Sequence, residues 1–292
     1  MKKRILITGA AGFIGKNLVE QLSNDYIVLA PSIKELDLCD TFLVEKYFEN
    51  KKIDIVIHAA NWGARDKKQV APFEVMNYGL RMFFNLERCS HMYERMYYFG
   101  SGAEYDRRFY VPYMEESYFG RYIPIDEYGF YKYILSKQCM QSDNIIDLRL
   151  FGIYGKYEQW MYRFISSNIC RILKGLPMTL SQNMYFDYIY IDDLVNIMRW
   201  FIENKPRYKH YNVCRGEHID LKSLGFIVKE TMKSNCEFNI AKEGYKLEYS
   251  GDNKRLLGEM GDYHFKPFDQ TISYLVGYYK GILNEIDESV LP

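Results

Sequence analysis

Ile5-Leu6-Ile7-Thr8-Gly9-Ala10-Ala11-Gly12-Phe13-Ile14-Gly15 is the stretch on which the fold turns. Its first three residues form a continuous apolar run, the pattern of a parallel strand buried on both faces. From residue 12 the period changes: Ile14, Leu18 and Leu22 recur at i, i+4 and i+8, one face of an amphipathic helix over 12–23. Glycines occupy the junction. Gly9 ends the strand in a tight turn, Gly12 lets backbone approach a pyrophosphate, and Gly15 lets helix and strand pack closely. A helix starting there offers free N–H groups and a positive dipole end to phosphates. Strand, glycine turn and helix in this order predict a dinucleotide site, although the spacing is G-x-x-G-x-x-G rather than G-x-G-x-x-G. The competing assignment is a plain βα turn.

Outward from this unit the alternation continues. Strands are expected at Tyr26–Leu29, Ile53–Ala59, Met96–Gly100, Ile145–Leu150 and 211–214. Helices are expected over 40–50, with Leu43, Val44 and Tyr47 inward, over 75–91, and over Ile123–Met140. This is an α/β chain with a Rossmann-type, doubly wound parallel sheet. After about residue 156 the rhythm changes: a helix near 158–174, a Gly175-Leu176-Pro177 break, a strand at 178–180, and another at Phe186–Ile191. Asp192 is expected to cap the next helix, and 269–286 reads as a long amphipathic one. Residues 1–157 with about 186–213 are thus assigned to the dinucleotide-binding domain. About 158–185 with 214–292 form a smaller, mixed, substrate-binding region.

Composition narrows the partners. Among 292 residues, 38 Lys and Arg balance 38 Asp and Glu, so no global field attracts nucleic acid or an anionic membrane. A hydrophobic fraction of 48% with 26% charged residues reads as globular. The cysteines, at 39, 89, 139, 170, 214 and 236, include no C-x-x-C pair and no histidine at ligand spacing, so neither a disulfide framework nor a metal site is expected. The N-terminus has only about four apolar residues before its glycine turn, and no run approaches ~20, which points to the cytoplasm. The 28 tyrosines stand out.

One of them has a suggestive neighbour. Tyr128 and Lys132 lie four apart at the start of a helix and share a face. An ordinary tyrosine, with a pKa of about 10, is a poor acid/base at neutral pH, and an adjacent ammonium lowers that value. Tyr133 and Lys137 repeat the pattern about 140° round the helix. Ser101 sits at the end of a buried strand, where open α/β sheets bind ligands. The plainer alternatives are two solvated helix residues and a turn serine bonding its own backbone.

Several motifs carry a resemblance: Thr8-Gly9-x-x-Gly12-Phe13-Ile14-Gly15, Asp37-Leu38-x-Asp40, and Asp54-x-Val56-Ile57-His58-Ala59-Ala60. Further on come Phe99-Gly100-Ser101-Gly102-Ala103-Glu104-Tyr105, Tyr128-Gly129-x-x-Lys132, Arg149-Leu150-Phe151-x-x-Tyr154-Gly155 and Tyr190-Ile191-Asp192-Asp193. Together, over roughly residues 3–215, they resemble the extended short-chain dehydrogenase/reductases, which act mostly on nucleotide sugars. The resemblance implies that Tyr128 is the acid/base, Lys132 its electrostatic partner and a cofactor contact, and Ser101 the anchor of the substrate oxygen. It implies cofactor contacts at Gly9, Gly12, Phe13, Ile14 and Gly15, at Asp37 and Leu38 for the adenine, and at His58, Ala59 and Ala60. Asn77 matches a position that holds a structural water or bonds backbone, against an ordinary helix asparagine. Related helices, those carrying Asn77 and Tyr128, often build a homodimer.

The resemblance also sorts reactions. Dehydratases of this kind carry Asp-Glu after the serine, and fucose-synthase-like enzymes a cysteine at the second position; Gly102 and Ala103 do neither job. Glu104 is expected to face the wall. What remains is hydride transfer at one carbon: reduction of a keto-sugar, or 4-epimerisation. Residues 29–34 hold no acid for a ribose 2′-OH and one lysine, Lys34, and a short connection follows to Asp37, which leans toward NADP(H) over NAD. Gly152 and Phe186 replace the family's frequent Asn and Arg, which commonly hold the nucleotide diphosphate. Arg163, Arg171, Lys174 and Arg255 are the candidate replacements, against solvated surface charges. The rival readings are a dinucleotide-sensing or assembly protein without chemistry, and a reductase of non-sugar carbonyls.

Overall fold

The structure, a computed structural model, describes residues 2–62, 71 and 73–291. In chain order the first elements are β1 (Arg4–Thr8), α1 (Phe13–Leu22), β2 (Ile27–Leu29), α2 (Thr41–Glu49), β3 (Ile55–His58), α3 (Glu74–Arg88), β4 (Arg95–Ser101), α4 (Glu127–Gln141) and β5 (Ile145–Leu150). Then follow β6 (Gly152–Tyr154), α5 (Phe164–Leu173), β7 (Met178–Asn183), β8 (Tyr185–Tyr190), α6 (Ile191–Glu203), β9 (His210–Val213) and β10 (His218–Asp220). The last are α7 (Leu221–Thr231), β11 (Phe238–Tyr245), α8 (Lys254–Met260) and α9 (Phe268–Gly281). Among the described residues no helix is long and apolar enough to cross a membrane.

Two compact units emerge. The first comprises Met1–Phe109, Glu115–Leu150 and Val195–Val213. Its six-stranded sheet runs β2-β1-β3-β4-β5-β9, every pair parallel, so the order reverses between β1 and β3. Ligands in open parallel sheets bind at the carboxyl ends of strands at such a reversal. Leu6, Val56, Met96 and Tyr98 from the strands join Val44 and Phe48 of α2, Phe83 and Leu86 of α3, and Leu135 of α4 in one core.

The second unit comprises Tyr110–Met114, Phe151–Leu194 and Cys214–Pro292. Residues 151–157 and 186–194, which the sequence pattern groups with the first domain, lie here instead. They supply β6 and β8, which pair in parallel, while β10 lies antiparallel on the other edge of β8. A second, parallel pair joins β7 and β11, and α5, α7 and α9 pack on one another.

The strand–helix alternation of the first unit follows the sequence pattern, with local corrections. Asp40 caps α2 by accepting from the Phe42 and Leu43 N–H groups at 3.0 Å each, which sets the phase. The inward stripe is therefore Val44 and Phe48, while Leu43 is exposed and Tyr47 only half-buried. Helix α4 starts at Glu127 and not at 123, because Asp126 accepts from Gly129 N at 2.8 Å and caps it there. Asp192 lies within the first turn of α6, which begins directly at Ile191. Strands β6, β10 and β11 escape the reading: two are three residues long, and β11 is largely exposed and polar.

Candidate active site

At the switch point, Gly9 has φ +67°, a left-handed conformation that glycine adopts at no steric cost. A Cβ there would lie 2.7 Å from Ala60 N and 2.8 Å from Ala59 C, so the loop after β1 rests directly on the end of β3. A Cβ at Gly15 would meet the Gly9 carbonyl oxygen at 2.2 Å, which is why helix α1 can approach so closely. Among the described residues no side chain caps α1, so the N–H groups of its first turn, at Phe13 and Ile14, have no side-chain cap there. This cradle has the shape and polarity a dinucleotide diphosphate requires.

His58 closes the back of the cradle. Its Nδ1 bonds Thr8 Oγ1 at 2.8 Å, and Thr8 Oγ1 accepts from Ala60 N at 3.2 Å, tying β1 to β3. Burial and the neighbouring Lys132 ammonium push its pKa down to about 3, so the ring is neutral. Asp37 accepts from Cys39 N at 2.9 Å in a local turn, and Leu38 is buried with its carbonyl held by Asn85. Just past Lys34, the Glu35 carboxylate is already engaged, accepting from both Ser32 N and Ser32 Oγ at 2.8 Å. Asn77 is exposed on α3, where its oxygen accepts from Arg81 Nε at 3.0 Å.

Ser101, the last residue of β4, is buried. Its Oγ accepts from Ala103 N at 3.1 Å while Glu104 Oε1 accepts from Ser101 N at 2.9 Å, a capping box around a short 3₁₀ turn. The serine thus bonds its own turn and keeps its hydroxyl proton for another acceptor. Gly129 joins this turn to α4: a Cβ there would sit 2.7 Å from the Ala103 carbonyl oxygen. The next residue back is Tyr128, half-buried, its ring edge-on to Tyr131 at 5.5 Å.

Lys132 is buried. Its Nζ donates to the Phe99 carbonyl at 2.7 Å and lies 4.5 Å from the Tyr98 ring centre, 5.4 Å from Tyr131 and 5.9 Å from Tyr128. Burial pulls its pKa down to about 8, against Glu104 and Asp147, which pull it up. The second frame contrasts with it: Lys137 is exposed and, with Tyr133, lies against Phe119. Only the first frame places its lysine in the interior.

Four further residues join this region that motif reading did not single out as a group. Glu104 and Asp147 both pair with Arg149 Nε, at 2.7 and 3.1 Å, with all three side chains shut off from solvent. Ser136 of α4 donates to Asp147 Oδ2 at 2.6 Å. Burial first, then the facing Asp147, push the Glu104 carboxyl well above the ordinary range, with Arg149 working against them. A signal existed: Asp147 and Arg149 alternate in an otherwise apolar, buried strand and so share one face.

In the second unit, Gly152 and Phe186 explain each other. A Cβ at Gly152 would lie 2.3 Å from the Phe186 ring and 2.4 Å from the Asp187 carbonyl oxygen. Phe186 packs with Tyr188 at 4.5 Å and Tyr249 at 5.0 Å, an aromatic surface. Of the candidate cations, Arg171 is turned inward and donates to the Pro177 carbonyl at 2.5 Å; Arg163 is exposed at the start of α5, and Lys174 and Arg255 are half-buried.

A parallel sheet with a glycine cradle at its switch point defines a dinucleotide-binding α/β protein of Rossmann type. Residues 5–214 match the NAD dependent epimerase/dehydratase family, and the chain belongs to it. It is 26% identical over 302 residues to an ADP-L-glycero-D-manno-heptose-6-epimerase from Brachyspira hyodysenteriae, covering 90% of this chain and 93% of the relative. Its fold matches a GDP-L-fucose synthetase from Naegleria fowleri bound to NADP, with a TM-score of 0.85 and 16% identity over 97% of this chain and 94% of that one. A GDP-mannoheptose C4 reductase from Campylobacter jejuni with NADP bound gives 0.78 and 20% identity over 96% and 98%.

Proposed function

We propose that the chain is an NAD(P)-dependent reductase or epimerase that transfers hydride at one carbon of a nucleotide-linked keto-sugar. The observation that carries this reading is the convergence on one end of α4: Ser101 and Tyr128 brought together through Gly129, with the Lys132 ammonium buried 5.9 Å from the Tyr128 ring. The cradle of Gly9, Gly12 and Gly15, with Phe13 and Ile14 at the head of α1, would hold the diphosphate, and Ala59 and Ala60 would wall it. When bound, the dinucleotide supplies or accepts the hydride.

In the reducing direction the Tyr128 hydroxyl gives its proton to the ketone oxygen while the Ser101 hydroxyl donates a hydrogen bond to the same atom. The carbonyl carbon becomes an alcohol carbon and Tyr128 is left as phenolate. Lys132 stabilises that phenolate, so the tyrosine works nearer neutral pH than its ordinary pKa of about 10 allows. Oxidation reverses each step, and reduction from the other face of the sugar would complete an epimerisation. NADP(H) is favoured by Lys34 and by the lack of a free acid at the end of β2.

Gly152 and Phe186, standing where the family often has Asn and Arg, favour as a second reading a carbonyl substrate without a nucleotide. Both are tested by following NADPH and NADH oxidation with nucleotide-linked 4-keto-sugars and with simple ketones. Tyr128→Phe is expected to cut turnover about 10²-fold or more while leaving dinucleotide affinity unchanged. Near-normal turnover in that variant would overturn the assignment.

A further inference from the structure

Gly129 packs the backbone beside Tyr128 against the Ala103 carbonyl, but a packed backbone leaves a half-buried ring its choice of rotamer. Tyr131, three residues on along α4, meets that ring edge-on, at 86° with 5.5 Å between centres. Such a contact restrains the tilt of a ring and asks no hydrogen bond of its hydroxyl. Tyr131 is itself held from two sides. Its buried ring lies against the bare backbone of α3 at Gly79, where a Cβ would stand 2.8 Å from Cε2, 3.1 Å from Cδ2 and 3.3 Å from Cζ. Its hydroxyl donates to Asn61 Oδ1 at 2.6 Å. Asn61 follows Ala60, just past the end of β3, where the Ala60 N–H donates to Thr8 Oγ1. The two helices are tied again one residue before Tyr128: Glu127 Oε1 accepts from Met76 N at 3.0 Å.

We propose that Tyr131 is a positioning residue for Tyr128, setting the direction in which its phenol points, with Gly79 and Asn61 fixing Tyr131 in turn. The proposal rests on Ser101, Tyr128 and Lys132 being the working set. Tyr131 does not compete for the acid/base role, because its ring is buried and its proton is given to an amide oxygen. It acts between the helix that carries the phenol and the strand end beside Gly9, so one side chain ties the proton donor to the wall of the cradle. A phenol that wanders costs turnover and not binding, since the ketone oxygen and the proton must meet within hydrogen-bond reach. The ring of Tyr131 serves as packing, whereas its hydroxyl stops that ring from sliding along the notch at Gly79. Removing one oxygen atom therefore separates positioning from packing.

The test is Tyr131→Phe in the full chain, which keeps the ring, its fit to Gly79 and the fold; Asn61 is exposed, so water takes the place of the lost donor. Asn61→Leu removes the same bond from the other end, and Asn61→Asp keeps an acceptor for it. Fluorotyrosine placed at position 128 reports on the ring by fluorine NMR without dinucleotide: a held ring gives a line displaced from that of the unfolded chain. The expected result is a displaced line in the wild type that moves toward the unfolded position in Tyr131→Phe and in Asn61→Leu. The double variant should move it no further than either alone, and Asn61→Asp should leave it in place. In steady-state assays Tyr131→Phe should lower kcat about five- to tenfold, with KM and dinucleotide affinity unchanged. An unmoved fluorine line, additive shifts in the double variant, or a raised KM with kcat retained would overturn the proposal. The fluorine signal does not depend on turnover. An active Tyr128→Phe would remove the catalytic reading, while the line would still show whether Tyr131 sets the ring.

Discussion

Glu104 of the first unit and Glu158 of the second are both buried, and the two live under different rules. Glu104, in the first unit, sits in a cluster with Asp147, Arg149 and Ser136. Glu158, in the second, accepts from Ser166 Oγ, and its other oxygen has no hydrogen-bond partner among the described residues. Burial raises the Glu158 carboxyl to about 7, opposed by Ser166 and Arg163. A buried carboxyl without a strong cation lowers its cost by keeping its proton, and its state follows the pH alone. Inside a cluster, protonation becomes conditional on neighbours, which lets one group set the charge of another.

The sharpest way to break this contrast is to close the space at Gly100. A Cβ there would lie 2.0 Å from Asp147 Oδ1 and 2.3 Å from Glu104 Oε1. Gly100→Ala thus drives a methyl into both carboxylates and should cost about 3 kcal/mol or more in urea denaturation. A loss below about 1 kcal/mol would mean the cluster rearranges freely. Glu158→Gln tests the other side. Its folded pKa lies above the ordinary 4.5, so the folded chain holds a proton that the unfolded chain gives up. Stability from this group is complete below pH 4.5 and is lost as pH rises through about 7, a fall of roughly 3 kcal/mol. Denaturation at pH 4.5 and pH 8 should show that fall in the wild type and a smaller one in the variant. The residual slope would belong to the other carboxyls that burial raises, among them Asp187, to about 7, Asp193 and Glu104. The smallest effect concerns the other space-making glycine: Gly152→Ala should cost about 1–3 kcal/mol. Combined with Phe186→Ala, the two costs should fall short of additivity by about 1 kcal/mol, since the ring is one of two neighbours in the way. Strict additivity would show that the Asp187 backbone, and not the ring, sets the limit.

The parallel sheet and its glycine cradle were legible because they depend on local period: apolar runs, i, i+4 spacing and three glycines. Ser101, Tyr128 and Lys132 were legible as motif positions, and the preference for Lys132 over Lys137 agrees with which of the two is buried. The Glu104–Asp147 gap was not, because it arises from the β4–β5 register that sets Gly100 beside Arg149 and Tyr98 beside Asp147. No single segment contains that pairing. Strands β6 and β10 escaped for a related reason: three residues carry too little pattern, and only their partners on β8 define them. Leu43 was misplaced because a cap, which fixes the phase of α2, outweighs the apolar character of any one residue.

Gly129 lets the first turn of α4 pack its backbone directly on the turn that follows β4. The hydroxyl of Ser101 and the phenol of Tyr128 are therefore set at their separation when the chain folds, before any ligand arrives. On the proposed function, no ordering of these two groups would remain to be done on binding, so what they contribute to the barrier would be independent of how tightly the rest of the substrate is held. A weakly bound ketone, if the proposal holds, would meet the same geometry as a tightly bound one.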